Sequence, residues 1–178
     1  MTEPRFDLVV AVDQQLGIGK AGGLPWRLPS EMAYFVRTTT ETREPGKRNA
    51  VFMGRVNWES IPLKYRPLVG RLNAVLTHRP DYEVPDGVLV GSGLDEMVRR
   101  LASQPGVERI FCIGGGDVYA QAIESPLCDQ LLLTRVHGSF ECDTFFPPFE
   151  HRFTLEQILG EGEDGGVTYQ KQRWRRVR

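Results

Sequence analysis

The sequence predicts an α/β fold: a largely parallel sheet flanked by helices, with an antiparallel hairpin at its C-terminal end. Three features carry that prediction. Near-continuous β-branched runs recur along the chain, as strands buried on both faces require. Helical patterns separate most of these runs, giving a strand, helix, strand order. The last fifth changes character and reads as two strands about a glycine turn.

The first strand is read in L-V-V-A-V-D, Leu8 to Asp13. After it comes G-I-G-K-A-G-G-L-P-W, Gly17 to Trp26, with G-x-G-x-x-G at Gly17, Gly19 and Gly22. A dinucleotide fingerprint needs a helix directly after its glycines. Pro25 and Pro29 instead keep the chain extended or turned from Leu24 to Leu28. The stretch is therefore either a mobile loop covering a site or an ordinary connection. S-E-M-A-Y-F-V-R predicts a helix to about Thr40, with Ser30 as its cap and Met32, Phe35 and Val36 as its apolar stripe. N-A-V-F-M-G is a strand ending at Gly54, with a short helix opening near Val56. L-N-A-V-L-T and G-V-L-V-G are further strands. Leu94, Met97, Val98 and Leu101 then keep the spacing of a helix that packs one face. R-I-F-C-I-G runs through three glycines into the helical D-V-Y-A-Q-A-I, with Asp117 as N-cap, and L-L-L-T-R-V is the next strand. Finally F-T-L-E-Q-I-L-G-E and V-T-Y-Q-K-Q-R-W flank E-D-G-G.

At 178 residues the chain fits one domain spanning 1–178. A formal net charge of -1 leaves no electrostatic footprint for a nucleic-acid or membrane partner. The basic K-Q-R-W-R-R-V-R reads as a solvated terminal strand. There is no basic region leading into an apolar one at the start, and a cytoplasmic protein is expected. Cys112, Cys128 and Cys142, like His78, His137 and His151, are scattered without metal-ligand spacing, so no metal is expected.

Three places carry chemistry. Glu31 stands in a first helical turn, where a carboxylate complements the helix dipole. Its Met and Phe neighbours also suit a flat heteroaromatic ligand with adjacent N–H donors. Arg55 follows a strand end and opens a short helix, a position from which it can meet a phosphate. The glycines from Gly114 to Gly116 allow either a close backbone approach to a cofactor or a tight strand-to-helix turn.

Taken in order, G-I-G-K-A-G-G-L-P-W, L-P-S-E-M-A-Y-F, M-G-R-V-N-W-E-S-I-P, R-P-L-V-G-R-L-N-A-V-L-T, C-I-G-G-G-D-V-Y and D-T-F-F-P closely resemble the segments of dihydrofolate reductases, from about Val9 to Pro147. The resemblance implies an eight-stranded, mainly parallel central sheet with about four flanking helices. It also implies NADPH-dependent reduction of 7,8-dihydrofolate by a monomer that antifolate inhibitors can bind. Glu31, Trp26, Leu24 and Thr134 are implied as the catalytic set, with the Thr134 hydroxyl supporting the Glu31 carboxylate. Met32, Phe35, Ile61 and Leu68 would pack the substrate's rings, Val9, Val10 and Ile113 are also implied in substrate binding, and Arg71 would pair with the α-carboxylate of its tail. Ala11, Ile18 and Tyr119 would border the nicotinamide, Gly114, Gly115 and Gly116 the pyrophosphate, and Arg55, Thr77, His78 and Arg79 the adenosine 2'-phosphate. Gly19, Gly54, Val56, Asn57, Leu76, Ile113, Asp117 and Val118 are implied as further cofactor-binding residues. The bond between Gly114 and Gly115 would be cis, and no second acid is expected near the pocket. Asn57 departs from the threonine usual at its position. A relative of the fold that reduces a ribosylamino-pyrimidine would have little use for Trp26, Glu31 and Arg71 together.

Overall fold

The structure is a computed structural model that describes residues 3–178. Its elements in chain order are β1 (Phe6–Val12), β2 (Gly17–Gly19), α1 (Pro29–Thr40), β3 (Arg48–Gly54), α2 (Arg55–Ser60), β4 (Arg71–Leu76), β5 (Leu89–Gly91), α3 (Leu94–Ala102), β6 (Val107–Cys112), α4 (Gly116–Glu124), β7 (Cys128–Val136), β8 (Thr144–Phe145), β9 (Phe153–Asp164) and β10 (Val167–Arg176). Eight strands form one sheet in the order β5-β4-β3-β6-β1-β7-β10-β9. Neighbours from β5 to β7 pair in parallel, while β10 pairs antiparallel with both β7 and β9. The predicted architecture therefore holds.

Strand alternation sorts the apolar side chains into two layers. On β1, Leu8, Val10 and Val12 face one way into a core with Leu94, Met97, Val98 and Leu101 of α3 and Val118, Tyr119, Ala122 and Ile123 of α4. The helical spacing read in the α3 sequence is thus the spacing of its buried face. Val9 points to the opposite layer, where Val51, Met53, Val75, Phe111, Ile113 and Leu132 meet Trp58 of α2 and Phe35 of α1. The segment entering α1 is fastened separately: Trp26 and Leu28 pack with Val136 and Tyr169 at the ends of β7 and β10.

Helix starts differ from expectation. Leu28, not Ser30, is the N-cap of α1, and Pro29 takes the first helical position, where a missing N–H costs nothing. Ser30 sits inside the first turn, and both its amide and its hydroxyl donate to Asp164 Oδ2, at 2.9 and 2.7 Å. At α4 the cap is Gly115, so Asp117 lies within the first turn and complements the helix dipole there. Helix α2 opens at Arg55, one residue before the expected start. Tight turning between β9 and β10 falls to Gly165 and Gly166, both at positive φ and flanked by the Asp164–Val167 pair.

The glycine-rich stretch after β1 is neither fingerprint nor unstructured loop. Gly17 to Gly19 pairs with β8 in a second, two-stranded sheet that periodicity did not predict. Asp13 organises that corner. Its buried carboxylate accepts the amides of Gln15, Gly17 and Phe140 at 2.8–3.1 Å, and these bonds hold it below the usual carboxylate range.

Candidate active site

Ligand sites in open α/β sheets form beyond the carboxyl ends of the strands, and a cleft of about 1030 Å³ lies at that edge here. Its walls come from Gly54, Leu76 and Ser92, which end or follow β3, β4 and β5, and from Gly115 to Val118 at the start of α4. Ile18 and Gly19 of β2, with Leu24, form the opposite side, and Arg55, Val56, Asn57, Thr77, His78 and Arg79 line the rest. Most of the residues expected to hold the cofactor thus share one surface. Ile113, Gly114 and Tyr119 stand behind it. Gly54 donates its amide to Gly114 O at 2.8 Å, and Asn57 Nδ2 donates to Ile113 O at 3.1 Å, so the two strand ends are tied into one floor. The Tyr119 hydroxyl donates to Val9 O at 2.9 Å, and its ring leaves no room at Gly114, where a Cβ would fall 2.9 Å from it and φ is +107°. The Gly114–Gly115 peptide is cis, as is Arg66–Pro67.

The chemistry of this cleft fits a nicotinamide dinucleotide. The first turn of the nine-residue α4 leaves backbone N–H groups for a phosphate. A Cβ at Gly115 would meet nothing within 4 Å, so the backbone is open to close approach. Arg55, His78 and Arg79 supply positive or proton-donating groups at one end. Arg55 is already engaged by Glu59 at 2.8 Å, and Glu59 also accepts from the Tyr82 hydroxyl at 2.7 Å.

A second cleft, of about 380 Å³, adjoins the first across Leu24 and is lined by Leu24, Trp26, Arg27, Leu28, Pro29, Glu31 and Met32. Glu31 and Thr39 are the buried residues of α1, while Met32 and Val36, the expected inward stripe, are each 43% exposed. The helix thus buries a carboxylate and leaves Met32 open to the cleft, where a ligand can cover it. Glu31 is 8% exposed, accepts no protein hydrogen bond among the described residues, and is pushed up to about 7 by burial and then by the charge of Asp164. Asp164 is therefore the second acid that the sequence was not expected to hold near the pocket. Its place at the tip of a distant hairpin gave no local signal. Trp26 stacks edge-on against Phe140 at 5.4 Å, and its indole N–H is buried without a protein acceptor. Thr134 is 2% exposed on β7, in register with Ala11.

Phe35, Ile61 and Leu68 pack against the layer that holds Val9 and Ile113. Val10 turns its side chain into the α3–α4 core, because neighbouring residues on a strand point to opposite faces. Ala11 packs with Trp26 in the third cluster. Leu68 is held by buried Asn73, which accepts its amide at 2.8 Å and donates to its carbonyl at 3.0 Å. Arg71 is 8% exposed and has no carboxylate partner among the described residues. It donates through Nε to Val69 O at 3.0 Å and through Nη1 to Thr39 at 2.9 Å, and desolvation lowers its pKa. Such a guanidinium is a ready receptor for a ligand carboxylate.

Several cleft residues were not singled out from sequence, among them Ser92, Gln121 and Thr144. Gln121 had the clearest signal, one helical turn beyond Asp117. Cys112 is fully enclosed and its thiol is pushed up to about 12 by burial, as befits a core side chain. No cluster of potential metal ligands occurs among the described residues.

With this geometry in place, comparison with known proteins is direct. The family model described as Dihydrofolate reductase matches residues 5–176. The chain is 44% identical over 177 residues to the dihydrofolate reductase of Heliothis virescens, covering 95% of this chain and 96% of that one. It is 42% identical over 172 residues to that of Drosophila melanogaster, covering 93% and 94%. The solved dihydrofolate reductase of Schistosoma mansoni superposes with a TM-score of 0.83 at 31% identity, covering 99% of this chain and all of that one.

Proposed function

The chain belongs to the dihydrofolate reductase family and is an oxidoreductase, and we propose that it reduces 7,8-dihydrofolate to 5,6,7,8-tetrahydrofolate with NADPH, supplying one-carbon metabolism. The observation that carries this reading is Glu31. A carboxyl that burial holds near 7, on the wall of an apolar cleft that adjoins a dinucleotide-sized one, suits a pterin better than a saccharide or a peptide.

In this reading Glu31 bonds the ring N–H and amino group of the pterin edge, and at neutral pH it is divided between its two protonation states. Trp26 lines the same cleft, and its buried indole N–H has no protein acceptor. Phe35, Ile61, Leu68 and Met32 enclose the rings, and Arg71 clamps the tail carboxylate bidentately. When bound, NADPH supplies the hydride for C6 of the pterin. The proton for N5 arrives through water admitted past Leu24, which is 56% exposed. Arg55, His78 and Arg79 favour a 2'-phosphorylated adenosine over an unphosphorylated one. We further propose that the chain works as one domain, as a monomer and in the cytoplasm. No helix among the described residues is long and apolar enough to cross a membrane.

The test is NADPH oxidation followed by absorbance in the presence of dihydrofolate, run beside Glu31→Gln and repeated with NADH. Turnover that requires dihydrofolate, declines above about pH 7 and is lost at neutral pH in the Gln variant supports the assignment. A Gln variant with parental turnover removes Glu31 from the reaction.

A further inference from the structure

Helix α1 carries the reacting carboxyl, yet its own N-cap, Leu28, offers no side-chain acceptor to the first turn. That acceptor comes from the edge strand β9, against which α1 packs. Asp164, the last residue of β9, receives both the amide and the hydroxyl of Ser30. Ser30 Oγ also bonds the Tyr169 hydroxyl of β10. Since the single Ser30 proton points to Asp164, Tyr169 must be the donor to Ser30. The residue next to Glu31 is thus tied to both strands of the hairpin, and the tie ends in a negative charge.

We propose that Asp164 is a positioning residue for Glu31: it fastens the first turn of α1 to the β9–β10 hairpin and sets a second negative charge beside the pocket carboxyl. This rests on the role proposed above for Glu31. The ionisable groups around Glu31 are few. Tyr34 stands on its own helix, with Arg37 of that helix and Lys171 of β10 over its ring and the charge of Arg173 acting on its hydroxyl, and Tyr119 on α4 and Arg27 on the entry segment are the others. Beyond burial, it is Asp164 that acts on Glu31, in the direction that keeps it protonated. Like charges that cannot both be well solvated favour the neutral form of the more buried one. The two acids therefore divide the work, with Glu31 touching the ligand and Asp164 holding and biasing Glu31.

Asp164→Asn keeps an oxygen acceptor for Ser30 and removes the charge, Asp164→Ala removes both, and Asp164→Glu keeps the charge. The Glu31 carboxyl is titrated in the free enzyme by carbon-13 NMR, its signal identified by its absence in Glu31→Gln, and kcat/KM for dihydrofolate is followed against pH. Asp164→Asn lowers the Glu31 midpoint by about half a pH unit, and with it the kinetic midpoint, a change of about threefold in rate on the alkaline limb. Asp164→Glu restores the parental titration. Asp164→Ala shifts the midpoint likewise and also raises KM several-fold, roughly the loss of one positioning hydrogen bond. An unmoved Glu31 midpoint in Asp164→Asn overturns the electrostatic role, and equal KM values for Asn and Ala overturn the fastening role. The NMR titration needs no turnover, so an enzyme inactive on dihydrofolate refutes the assigned reaction while the role of Asp164 is still decided.

Discussion

Glu31→Gln should make the protein more stable in alkali while disabling it. The native carboxyl titrates near 7 against an ordinary 4.5, so between those values the folded chain holds a proton that the unfolded chain releases. Stability contributed by a raised carboxyl is intact below about pH 4.5 and declines as pH rises, and the cost is complete above about 7. At about 1.4 kcal/mol per pH unit, the difference of 2.5 corresponds to about 3 kcal/mol. Gln cannot ionise and escapes that cost. The stability of Glu31→Gln relative to the parent should therefore climb by about 3 kcal/mol between pH 4.5 and 8.5, whatever its offset at low pH. Urea unfolding of both proteins across that range measures it, because the other titrations largely cancel in the difference. A difference that stays flat to within about 0.5 kcal/mol would show Glu31 to be well solvated, and the account of its chemistry would fall with it.

Three further outcomes follow from the same geometry. Arg71→Lys keeps the charge but not the planar fork, and KM for dihydrofolate should rise about ten- to a hundredfold with kcat nearly constant; an unchanged KM would place the tail elsewhere. Glu59→Gln frees Arg55 from its 2.8 Å partner, so NADPH affinity read by fluorescence quenching should increase about threefold while NADH affinity stays put. A gain shared by both cofactors would break the link to the 2'-phosphate. Gly114→Ala sets a Cβ 2.9 Å from the Tyr119 ring at a φ of +107°, and about 2 kcal/mol or more of stability should be lost in thermal melts along with cofactor binding; a parental melting temperature would contradict that crowding.

The parallel strands and α3 were legible because burial on two faces, or on one helical face, writes a periodic pattern into neighbouring residues. Glu31, Arg55, Gly54 at the end of β3 and the glycines Gly114 to Gly116 after β6 stood out as candidates because each sits at or beside a strand or helix end. What sequence spacing could not express is contact across the sheet. Ser30 looked like a cap because a proline preceded it, yet its partner, Asp164, is 134 residues away. Met32 and Val36 looked like core because they are apolar, whereas the helix turns them outward and buries Glu31 and Thr39. The β2–β8 pairing escaped notice because three residues against two leave no period to detect. Helix α1 thus broke the binary pattern at the candidate site where the rest of the fold kept to it.

Leu24 belongs to the walls of both clefts. A partition shared by two chambers makes their contents mutually aware. A molecule on one side that pushes or steadies this side chain alters the room on the other, and by reciprocity the second occupant acts back on the first to the same extent. Coupling between the two clefts then rests on one leucine of a proline-bounded loop.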